Sequence, residues 1–469
     1  MTVMMSLAQA AQWLAGAHLV GDADLQPLRV HTDTRTIAPG DLFVALKGER
    51  YDANDFLHEA QQRGAVAVVC HADLSLDKYP AGLARIEVAN TSTALQQLAT
   101  GWRQQFALPL IAVTGSNGKT TVTQMVASIL DAYCPDGTSL ATRGNLNNDI
   151  GVPLTLLRLR ASHRMAVVEL GMNHPGEIAV LAAMAQPTVA LVNNAQREHL
   201  EFMHTVEAVA QENGNVIASL PADGAAVYPS DDTHAALWRD IAATRQAFSF
   251  SMEQNALPSH IGCVKAEWAH GAWQVLARGL GVELNYRLAI AGRHNVKNSL
   301  AAAACALASG VSVAAIEQGL TAFVPVKGRS RALAVIAAGR EVTVVDDTYN
   351  ANPDSVRAAI DVLADLPSPR MLVLGDMGEV GDHGPAFHAE AGRYAQAQGI
   401  EYFFATGAAT RSAVAEFPGA QHFASMDDLC AAAIATTPAV SSMLVKGSRF
   451  MRMERVVESV MAHFSDGGH

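Results

Sequence analysis

Residues 111–122 constrain the fold of this chain more than any other part of its 469 residues. They begin with an apolar, β-branched run, which predicts a buried strand. The helical spacing of apolar residues over 122–130 then predicts a helix. Two glycines, Gly115 and Gly118, separate the two elements. A strand, a glycine turn and a helix in this order are typical of an α/β unit with a parallel sheet.

The glycine turn has the chemistry of a phosphate-binding loop. Backbone N–H groups can point at phosphate oxygens, the helix dipole adds partial positive charge, and Lys119 adds a full one. The spacing is the short Gly-x-x-Gly-Lys-Thr-Thr, because Val113 stands where the common motif has its first glycine. The alternative is an ordinary strand–turn–helix with a surface lysine. We expect ATP with its Mg²⁺ to bind at Gly115, Ser116, Asn117, Gly118, Lys119, Thr120 and Thr121.

Composition argues against several classes of protein. The formal net charge of −12 disfavours a nucleic acid or an anionic membrane as partner. The five cysteines are scattered without paired spacing, which is typical of a reducing compartment and gives no zinc signature. The first 20 residues predict an amphipathic helix and not a signal peptide. No apolar run reaches the length of a membrane span, so we expect a cytoplasmic protein.

The chain is long enough for several cores, and its patterns predict a three-domain α/β protein. A central parallel-sheet phosphate-loop ATPase domain (106–323) would lie between an N-terminal α/β domain (1–105) and a C-terminal Rossmann-like α/β domain (324–469). Alternation of apolar residues around 245–290 predicts antiparallel strands in the middle domain. The other predicted strands are 28–33, 41–46, 65–69, 166–171, 189–194, 342–346, 371–375, 402–405 and 442–445, with helices over 92–105, where Thr91 is a possible N-cap, and 295–309.

Polar side chains follow two of the predicted buried strands of the middle domain. Glu169 ends one strand, and a buried carboxylate is costly unless a cation such as Mg²⁺ compensates it. The alternative is a salt bridge to a neighbouring arginine. Asn193 and Asn194 end the next strand, and His199 follows them. A lone histidine is more often a packing residue, but this one should lie beside Glu169 at the same sheet edge.

Further polar clusters occur at residues 144–151, 292–298, 328–331, 346–353 and 445–449. Clustered amides suit sugar or peptide recognition, and cations suit phosphate. Each cluster also has a plain interpretation as a capped turn, a solvated charge or a helix start. Together they predict a cleft between a nucleotide-binding domain and a second α/β domain. The candidate residues are Asn147, Asn148, Asp149, Asn295, Asn298, Arg329, Asp347, Asn350 and Lys446.

These motifs resemble those of the Mur ligases, the ATP-dependent amide-forming enzymes of peptidoglycan synthesis. The resemblance runs nearly end to end, from Thr-Asp-Thr-Arg at 32–35 through the glycine loop to Lys-Gly-Ser-Arg at 446–449. Three segments look specific to the branch that adds D-alanyl-D-alanine to UDP-N-acetylmuramoyl-tripeptide. They are Asn-Leu-Asn-Asn-Asp-Ile-Gly at 145–151, Tyr-Asn-Ala-Asn-Pro at 349–353 and Gly-Asp-Met-Gly-Glu at 375–379.

The resemblance implies the partners and the role of each domain. The first domain would hold the uridine nucleotide of the tripeptide substrate, the middle one ATP, and the last D-alanyl-D-alanine, in a monomer with no nucleic acid and no membrane insertion. Lys119, Glu169 and His199 would be catalytic, with Thr120, Glu169 and His199 around Mg²⁺. ATP would also contact Asn295, Asn298, Arg329 and Asp347, and the substrates Thr34, Arg35, Asn147, Asn148, Asp149, Asn350 and Lys446.

The chain departs from the family at one position with chemical consequences. Mur ligases commonly carry a carbamylated lysine after the histidine loop, directed at a second Mg²⁺. Asn213 stands at that position here, and no lysine lies between Lys119 and Lys265. We predict no carbamate, with either Glu212 supplying the missing charge or the second metal held differently. A smaller departure is Asp-Ala-Asn-Asp-Phe at 52–56, where the family often has a Gly-His pair.

Two other functions fit parts of the sequence. One is a different ligase of the same superfamily, adding the third peptide residue or resembling folylpolyglutamate synthetase. The other is a non-ligase regulator that binds or hydrolyses ATP without regard to a UDP-muramoyl peptide. The three branch-specific segments favour the D-alanyl-D-alanine ligase.

Overall fold

The computed structural model describes residues 3–255, 257–269 and 271–465. It contains three β-sheets that follow one another along the chain, of five, nine and six strands. Helices connect most of the parallel strands, which confirms the predicted α/β class. The domain limits at 105/106 and 323/324 stay a prediction. Among the described residues, no helix combines the length and the apolar character needed to cross a bilayer.

The first sheet has the strand order β1-β5-β4-β3-β2, with only β1 antiparallel to its neighbour. Its elements are α1 (Leu7–Trp13), β1 (His18–Val20), β2 (Arg29–His31), β3 (Asp41–Val44), α2 (Leu57–Gln62), β4 (Ala67–His71), β5 (Ala84–Val88) and α3 (Thr91–Arg103).

Two expectations for this region are corrected. The helix predicted over the first 20 residues ends at Trp13, because His18–Val20 pairs with β5; Met1 and Thr2 lie outside the described residues. The N-cap of α3 is Asn90 and not Thr91, because the Asn90 side chain accepts a 2.9 Å hydrogen bond from Thr93 N.

The middle sheet has the order β14-β13-β12-β11-β10-β9-β6-β8-β7. Its elements are β6 (Leu110–Thr114), α4 (Lys119–Tyr133), β7 (Ser139–Ala141), α5 (Gly151–Leu156), β8 (Met165–Glu169), α6 (Glu177–Ala185), β9 (Val189–Val192), α7 (Leu200–Met203), α8 (Val206–Ala218), β10 (Ala225–Pro229), α9 (Ala235–Ala242), β11 (Gln246–Ser251), β12 (His260–Ala269), β13 (Ala272–Gly279), β14 (Val282–Leu288), α10 (Arg293–Ala308) and α11 (Val313–Ala322).

The predicted antiparallel region begins later than expected. Strands β12, β13 and β14 form an antiparallel meander, whereas β11 pairs in parallel with both β10 and β12. The alternating apolar pattern is clear only in the meander, because one of its faces packs on the core while the other meets solvent.

The third sheet has the order β15-β16-β20-β17-β18-β19, in which only the β15–β16 pair is antiparallel. Its elements are β15 (Arg331–Ala337), β16 (Arg340–Asp347), α12 (Pro353–Ala364), β17 (Arg370–Gly375), α13 (Gly384–Ala397), β18 (Tyr402–Thr406), α14 (Arg411–Ala415), β19 (Gln421–Phe423), α15 (Met426–Thr436), β20 (Ser442–Lys446) and α16 (Glu454–Ser465).

Candidate active site

A polar cavity of about 1230 Å³ lies between the middle and third sheets. Its walls include the carboxyl ends of β8 and β9 in the middle sheet and of β16 and β20 in the third. This is where open parallel sheets bind their ligands. Most of the predicted site residues line it: Ser116, Asn117, Gly118, Lys119, Thr120, Thr121, Asn147, Asn148, Asp149, Glu169, His199, Asn295, Asn298, Arg329, Asp347, Asn350 and Lys446.

The glycine loop joins β6 to α4 in a conformation that requires glycine. Gly115 has φ 130° and Gly118 has φ 82°, values that L side chains rarely adopt. A Cβ on Gly118 would lie 2.6 Å from Asn193 Nδ2 and 2.7 Å from Asn298 Oδ1. The loop therefore passes close to two asparagines, one from β9's end and one from α10, with no room for a side chain.

Asn194 supports the backbone of the glycine loop through two hydrogen bonds. Ser116 N donates to Asn194 O at 3.1 Å, and Asn117 N donates to Asn194 Oδ1 at 2.8 Å. The sequence placed Asn194 only at a strand end, and its role as a support of the loop was missed. Its signal was the pair of amides directly after a buried strand, on the neighbour of the strand that carries the loop.

Lys119 is turned back onto its own loop. Its Nζ donates to Gly115 O at 2.6 Å and to Ser116 O at 3.0 Å, and lies 3.0 Å from Glu198 Oε1. Glu198 is itself buried, and its Oε2 has no partner among the described residues. A bound phosphate would therefore compete with a carboxylate for this ammonium group.

Glu169 ends β8 with its side chain almost fully buried at 1% exposure. Its Oε1 accepts hydrogen bonds from Thr120 Oγ1 at 3.1 Å and from Asn147 Nδ2 at 2.8 Å. Its Oε2 is buried and has no partner among the described residues, and no described cation forms a salt bridge with it. The alternative of an arginine salt bridge is therefore wrong. An unpaired buried carboxylate oxygen beside a threonine hydroxyl is a donor set that fits a hard divalent cation.

His199 lies between carboxylates from two domains. Its Nε2 is 3.4 Å from Glu198 Oε1, and its Nδ1 is 2.7 Å from Glu379 Oε2. Burial lowers the pKa of His199, but the two carboxylates outweigh it and raise the pKa to about 9. His199 is therefore an imidazolium at neutral pH in this arrangement, and it would have to lose that proton to ligate a metal.

Asparagines on α10 connect the helix to the loop. Asn193 Nδ2 donates to Asn298 Oδ1 at 3.0 Å, and Asn298 Nδ2 donates to Asn295 Oδ1 at 2.9 Å. Asn295 in turn donates to Ala291 O at 2.7 Å. The two helix positions face the same side, as their spacing predicted. Each of the three amide nitrogens donates at least one hydrogen bond, and these bonds orient the three side chains relative to one another.

The third sheet contributes a buried ion pair. Lys446 Nζ donates to Asp347 Oδ2 at 2.6 Å and to Asn350 O at 2.9 Å. Burial by itself raises the pKa of Asp347, but Lys446 holds it below the ordinary value. Arg329 stacks its guanidinium 3.9 Å from the centroid of the Tyr349 ring. Two cations of the third sheet thus border a cavity whose opposite wall is the glycine loop.

Some predicted residues lie elsewhere. Thr34 and Arg35 belong to the first sheet's region and do not line the cavity; Arg35 pairs with Asp33 at 2.6 Å and its side chain is 82% exposed. Asn148 lines the cavity but also accepts a 2.9 Å hydrogen bond from Gly151 N, as the capped-turn alternative predicted. Gly115 shapes the loop without lining the cavity.

The position of the missing lysine is occupied by a structural asparagine. Asn213 Oδ1 accepts hydrogen bonds from Thr114 Oγ1 at 2.7 Å and from Gly115 N at 3.1 Å. Glu212 accepts a 2.8 Å hydrogen bond from Ile178 N at the start of α6. Neither side chain lines the cavity. Of the two alternatives for the missing charge, this geometry favours a second metal held differently, because the Glu212 carboxylate caps a helix.

Arg197, Glu198 and Glu379 are further site residues that sequence reasoning missed, in addition to Asn194. Arg197 binds Asp354 and Glu390 of the third unit at 2.7 and 2.8 Å. The available signal was the run of charged residues between a buried strand and His199, together with the acid that ends the Gly-Asp-Met-Gly-Glu segment.

Comparison with known proteins agrees with this geometry. Three family models match, described as "Mur ligase family, catalytic domain" at residues 29–103, "Mur ligase middle domain" at 113–306 and "Mur ligase, glutamate ligase domain" at 328–449. The UDP-N-acetylmuramoyl-tripeptide–D-alanyl-D-alanine ligase of Escherichia coli (strain K12) is 39% identical over 461 residues, covering 98% of each chain. That of Haemophilus influenzae is 36% identical over 466 residues, again with 98% of each chain.

A solved structure shows the same architecture. A crystal structure of MurF from Acinetobacter baumannii superposes with a TM-score of 0.87 at 34% identity, covering 98% of this chain and 99% of that one. Sequence, domain models and fold agree over nearly the whole length. The chain belongs to the Mur ligase family.

Proposed function

We propose that this chain is an ATP-dependent ligase that joins D-alanyl-D-alanine to UDP-N-acetylmuramoyl-tripeptide in peptidoglycan precursor synthesis. Its similarity to ligases of that name over 98% of their length supports the proposal. The observation that carries it is the cavity, in which a phosphate loop and the polar strand ends of a second α/β unit face each other. A nucleotide on one wall and an amine on the other would meet at its centre.

The chemistry divides into two balanced steps. A carboxylate oxygen of the tripeptide attacks the γ-phosphorus of ATP, the bond to the β–γ bridging oxygen breaks, and ADP leaves. The amine of D-alanyl-D-alanine then attacks the acyl carbon, the carbon–oxygen bond to phosphate breaks, and the amine gives up a proton. In the first step Lys119 leaves Glu198 and places its positive charge on the transferring phosphoryl group.

Thr120, Glu169 and His199 would hold Mg²⁺ beside the phosphates. The free Oε2 of Glu169 and the adjacent Thr120 hydroxyl support this assignment. Bound there, Mg²⁺ would neutralise charge on the β- and γ-phosphates as two anions approach each other. A divalent cation bound there would also favour loss of the imidazolium proton of His199.

The remaining site residues divide between the two substrates. We assign Asn295, Asn298, Arg329 and Asp347 to ATP, because they line the walls next to or opposite the glycine loop. We assign Asn147, Asn148, Asp149, Asn350 and Lys446 to the peptide end of the reaction on the same ground. Thr34 and Arg35, outside the cavity, suit a distant uridine nucleotide held by residues 1–105. Residues 106–323 and 324–469 would then be the ATP and ligase domains.

Phosphate release, with one component omitted at a time, tests the function. The proposal requires release only when ATP, UDP-N-acetylmuramoyl-tripeptide and D-alanyl-D-alanine are all present. Release from ATP alone, unaffected by the peptide, would favour a regulator. Release that needs a different amine would favour another ligase of the superfamily.

A further inference from the structure

The segment Gly375–Glu379 has no part in the chemistry described above, although it is one of the motifs that the sequence singled out. We propose that its last residue, Glu379, is a positioning residue that orients His199 from across the domain boundary. The wall of the cavity that carries Thr120, Glu169 and His199 would then be complete only while the middle and third units are in contact. This inference rests on the proposed function, because it gives that reaction a dependence on domain closure.

The contact is a short ion pair that is enclosed on the histidine's side. Glu379 Oε2 lies 2.7 Å from His199 Nδ1, and the histidine side chain is 9% exposed while that of Glu379 is 47% exposed. Both residues line the main cavity and a smaller interdomain one beside it. Glu198, of the middle unit, approaches the other ring nitrogen. Within the part of the chain that the structure describes, Glu379 is the third unit's one partner for the δ-nitrogen, so separating the units would remove it.

Hydrogen bonds to three other parts of the third unit fix the segment that carries Glu379. Met377 N donates to His388 Nε2 at 2.9 Å, and Gly378 N donates to Ser448 Oγ at 2.6 Å. Asp376 Oδ1 accepts from Thr410 N at 2.9 Å. These anchors come from three separate parts of the third unit, and one of them belongs to the Lys-Gly-Ser-Arg segment.

The neutral imidazole of His388 supports the backbone of this segment in one fixed orientation. It is fully buried, its Nε2 accepts from Met377, and its Nδ1 therefore donates to Gly384 O at 2.7 Å. A side chain with both ring nitrogens committed has a single tautomer and orientation. The backbone two residues before Glu379 is thus held from within the core of the third unit.

The backbones on both sides of the contact are held in an uncommon conformation. Glu379 has φ 57° and His199 has φ 50°, both in the left-handed region that residues other than glycine seldom occupy. Such conformations persist where surrounding contacts impose them, and they concentrate at functional positions. Here they direct the two side chains at each other across the interface.

The consequence is a link between closure and assembly of the site. A carboxylate on one imidazole nitrogen sets the ring orientation and so determines where the other nitrogen points. The third unit carries both Lys446 and Glu379. When this unit closes on the middle unit, it would therefore bring the D-alanyl-D-alanine site and the partner of His199 into place at the same time. Phosphoryl transfer would be slow until this closure has occurred.

Steady-state kinetics separates positioning from binding. Glu379→Gln keeps the size of the side chain and removes its charge, and we expect kcat to fall about 10- to 100-fold, as for other partners of a ligand histidine. The KM values for ATP and D-alanyl-D-alanine should stay close to those of the wild type. Glu379→Asp should recover part of the rate. Asp382→Asn, which removes an exposed acid three residues away, is the matched control and should leave kcat unchanged.

Two readouts show whether Glu379 acts through His199. In a His199→Gln background, Glu379→Gln should cause no further loss of kcat, because the contact is already gone. In the ligand-free enzyme, the ¹⁵N signal of the His199 ring is identified by its absence from the spectrum of His199→Gln. Its chemical shift should change in Glu379→Gln and stay the same in Asp382→Asn.

An unmoved His199 signal in Glu379→Gln would overturn the proposal, as would rate losses that simply multiply in the double variant. The spectroscopic result does not depend on turnover. If the wild-type enzyme released no phosphate from the three substrates, the proposed function would fail while the ¹⁵N spectra still decided the contact.

Discussion

The first and third units meet the middle unit through contacts of opposite character. Helix α3 of the first unit packs against the middle unit with an apolar core that continues across the boundary. Trp102 donates to Leu159 O at 3.1 Å, and the buried Arg103 donates to Ala185 O at 2.9 Å. The third unit is joined mainly through polar groups, with Arg197 bound to Asp354 and Glu390 around a large polar cavity. The apolar part of this boundary is small, with Ala291 and Trp268 of the middle unit packed on the third unit's core.

The difference indicates which boundary can open. Exposing apolar surface costs about 25 cal/mol per Å². Ion pairs that separate into water lose little, since each charge is solvated again. Opening between the first and middle units is therefore costly, whereas opening at the cavity is cheap. We expect the third unit to move and the first unit to stay with the middle one.

The largest effect should follow loss of the cation of the phosphate loop. Lys119→Ala removes the charge that faces the transferring phosphoryl group and should lower kcat about 10²-fold or more, the equivalent of ~3 kcal/mol. Phosphate release measures this. Lys265→Ala, whose side chain is 59% exposed on β12, is the control and should behave as the wild type. Near-normal ligation by Lys119→Ala would place the chemistry away from this cavity.

The apolar boundary should depend strongly on Arg103. Its guanidinium donates to the carbonyls of Phe106, Ala185 and Gln186. Arg103→Ala leaves buried acceptors unpaired and should lower the free energy of unfolding by about 3 kcal/mol. Urea unfolding measures the loss, with Arg239→Ala, 68% exposed, as a control. If Arg103→Ala and Arg239→Ala both lowered the free energy of unfolding by the same small amount, the hydrogen bonds of Arg103 would not stabilise this boundary.

Within the third unit, the Asp347–Lys446 pair should make stability depend on pH. Because the folded-state pKa of Asp347 is below the ordinary value of 3.8, its contribution is complete above that pH and is lost as the pH falls further. Asp347→Asn should be less stable by about 2 kcal/mol at pH 7, and the difference should shrink in acid. Urea midpoints across pH measure it. A difference that did not change with pH would contradict the assigned pairing.

The polar boundary should respond to salt through Arg197. Arg197→Gln should lower kcat/KM for D-alanyl-D-alanine about fivefold, or ~1 kcal/mol, because the half-buried ion pairs are partly screened by solvent. The wild-type value should fall as NaCl is added, and that of the variant should fall less. Arg357→Gln, which contacts Glu390 at 3.4 Å within the same unit, is the control. The same salt dependence in wild type and Arg197→Gln would mean that these charges do not hold the boundary.

The smallest effect should be that of bicarbonate. Asn213 supports the loop through Thr114 and Gly115, and no lysine is present to be carbamylated. The ligation rate in bicarbonate-free buffer should not rise when bicarbonate is added. A restored rate would show that a carbamate forms elsewhere in the site.

Much of the fold follows from local pattern. The strands that were predicted well, such as β6, β8 and β16, are apolar runs buried between helices. The three-residue strands β1 and β19 were not predicted, because so short a segment becomes a strand only through its partner. β15 was missed too, since an edge strand leaves much of its length exposed.

The site could be predicted where chemistry and local structure coincide. The glycine loop and Glu169 are recognisable because each adjoins a predicted strand. The pairing of Arg197 with Glu390 spans 193 positions, and the contact of His199 with Glu379 joins two domains. Nothing in the sequence near one partner specifies the other, so such contacts emerge only from the packing of the units.

Distances between the units test the central claim most directly. Spin labels at the exposed positions Asp77, Asp223 and Asp427 report on the first, middle and third units. On addition of a nonhydrolysable ATP analogue and both substrates, the 223–427 distance distribution should narrow and shorten, while that of 77–223 stays constant. A shift of the 77–223 distance with an unchanged 223–427 distance would contradict the account, since it would place the opening at the apolar boundary.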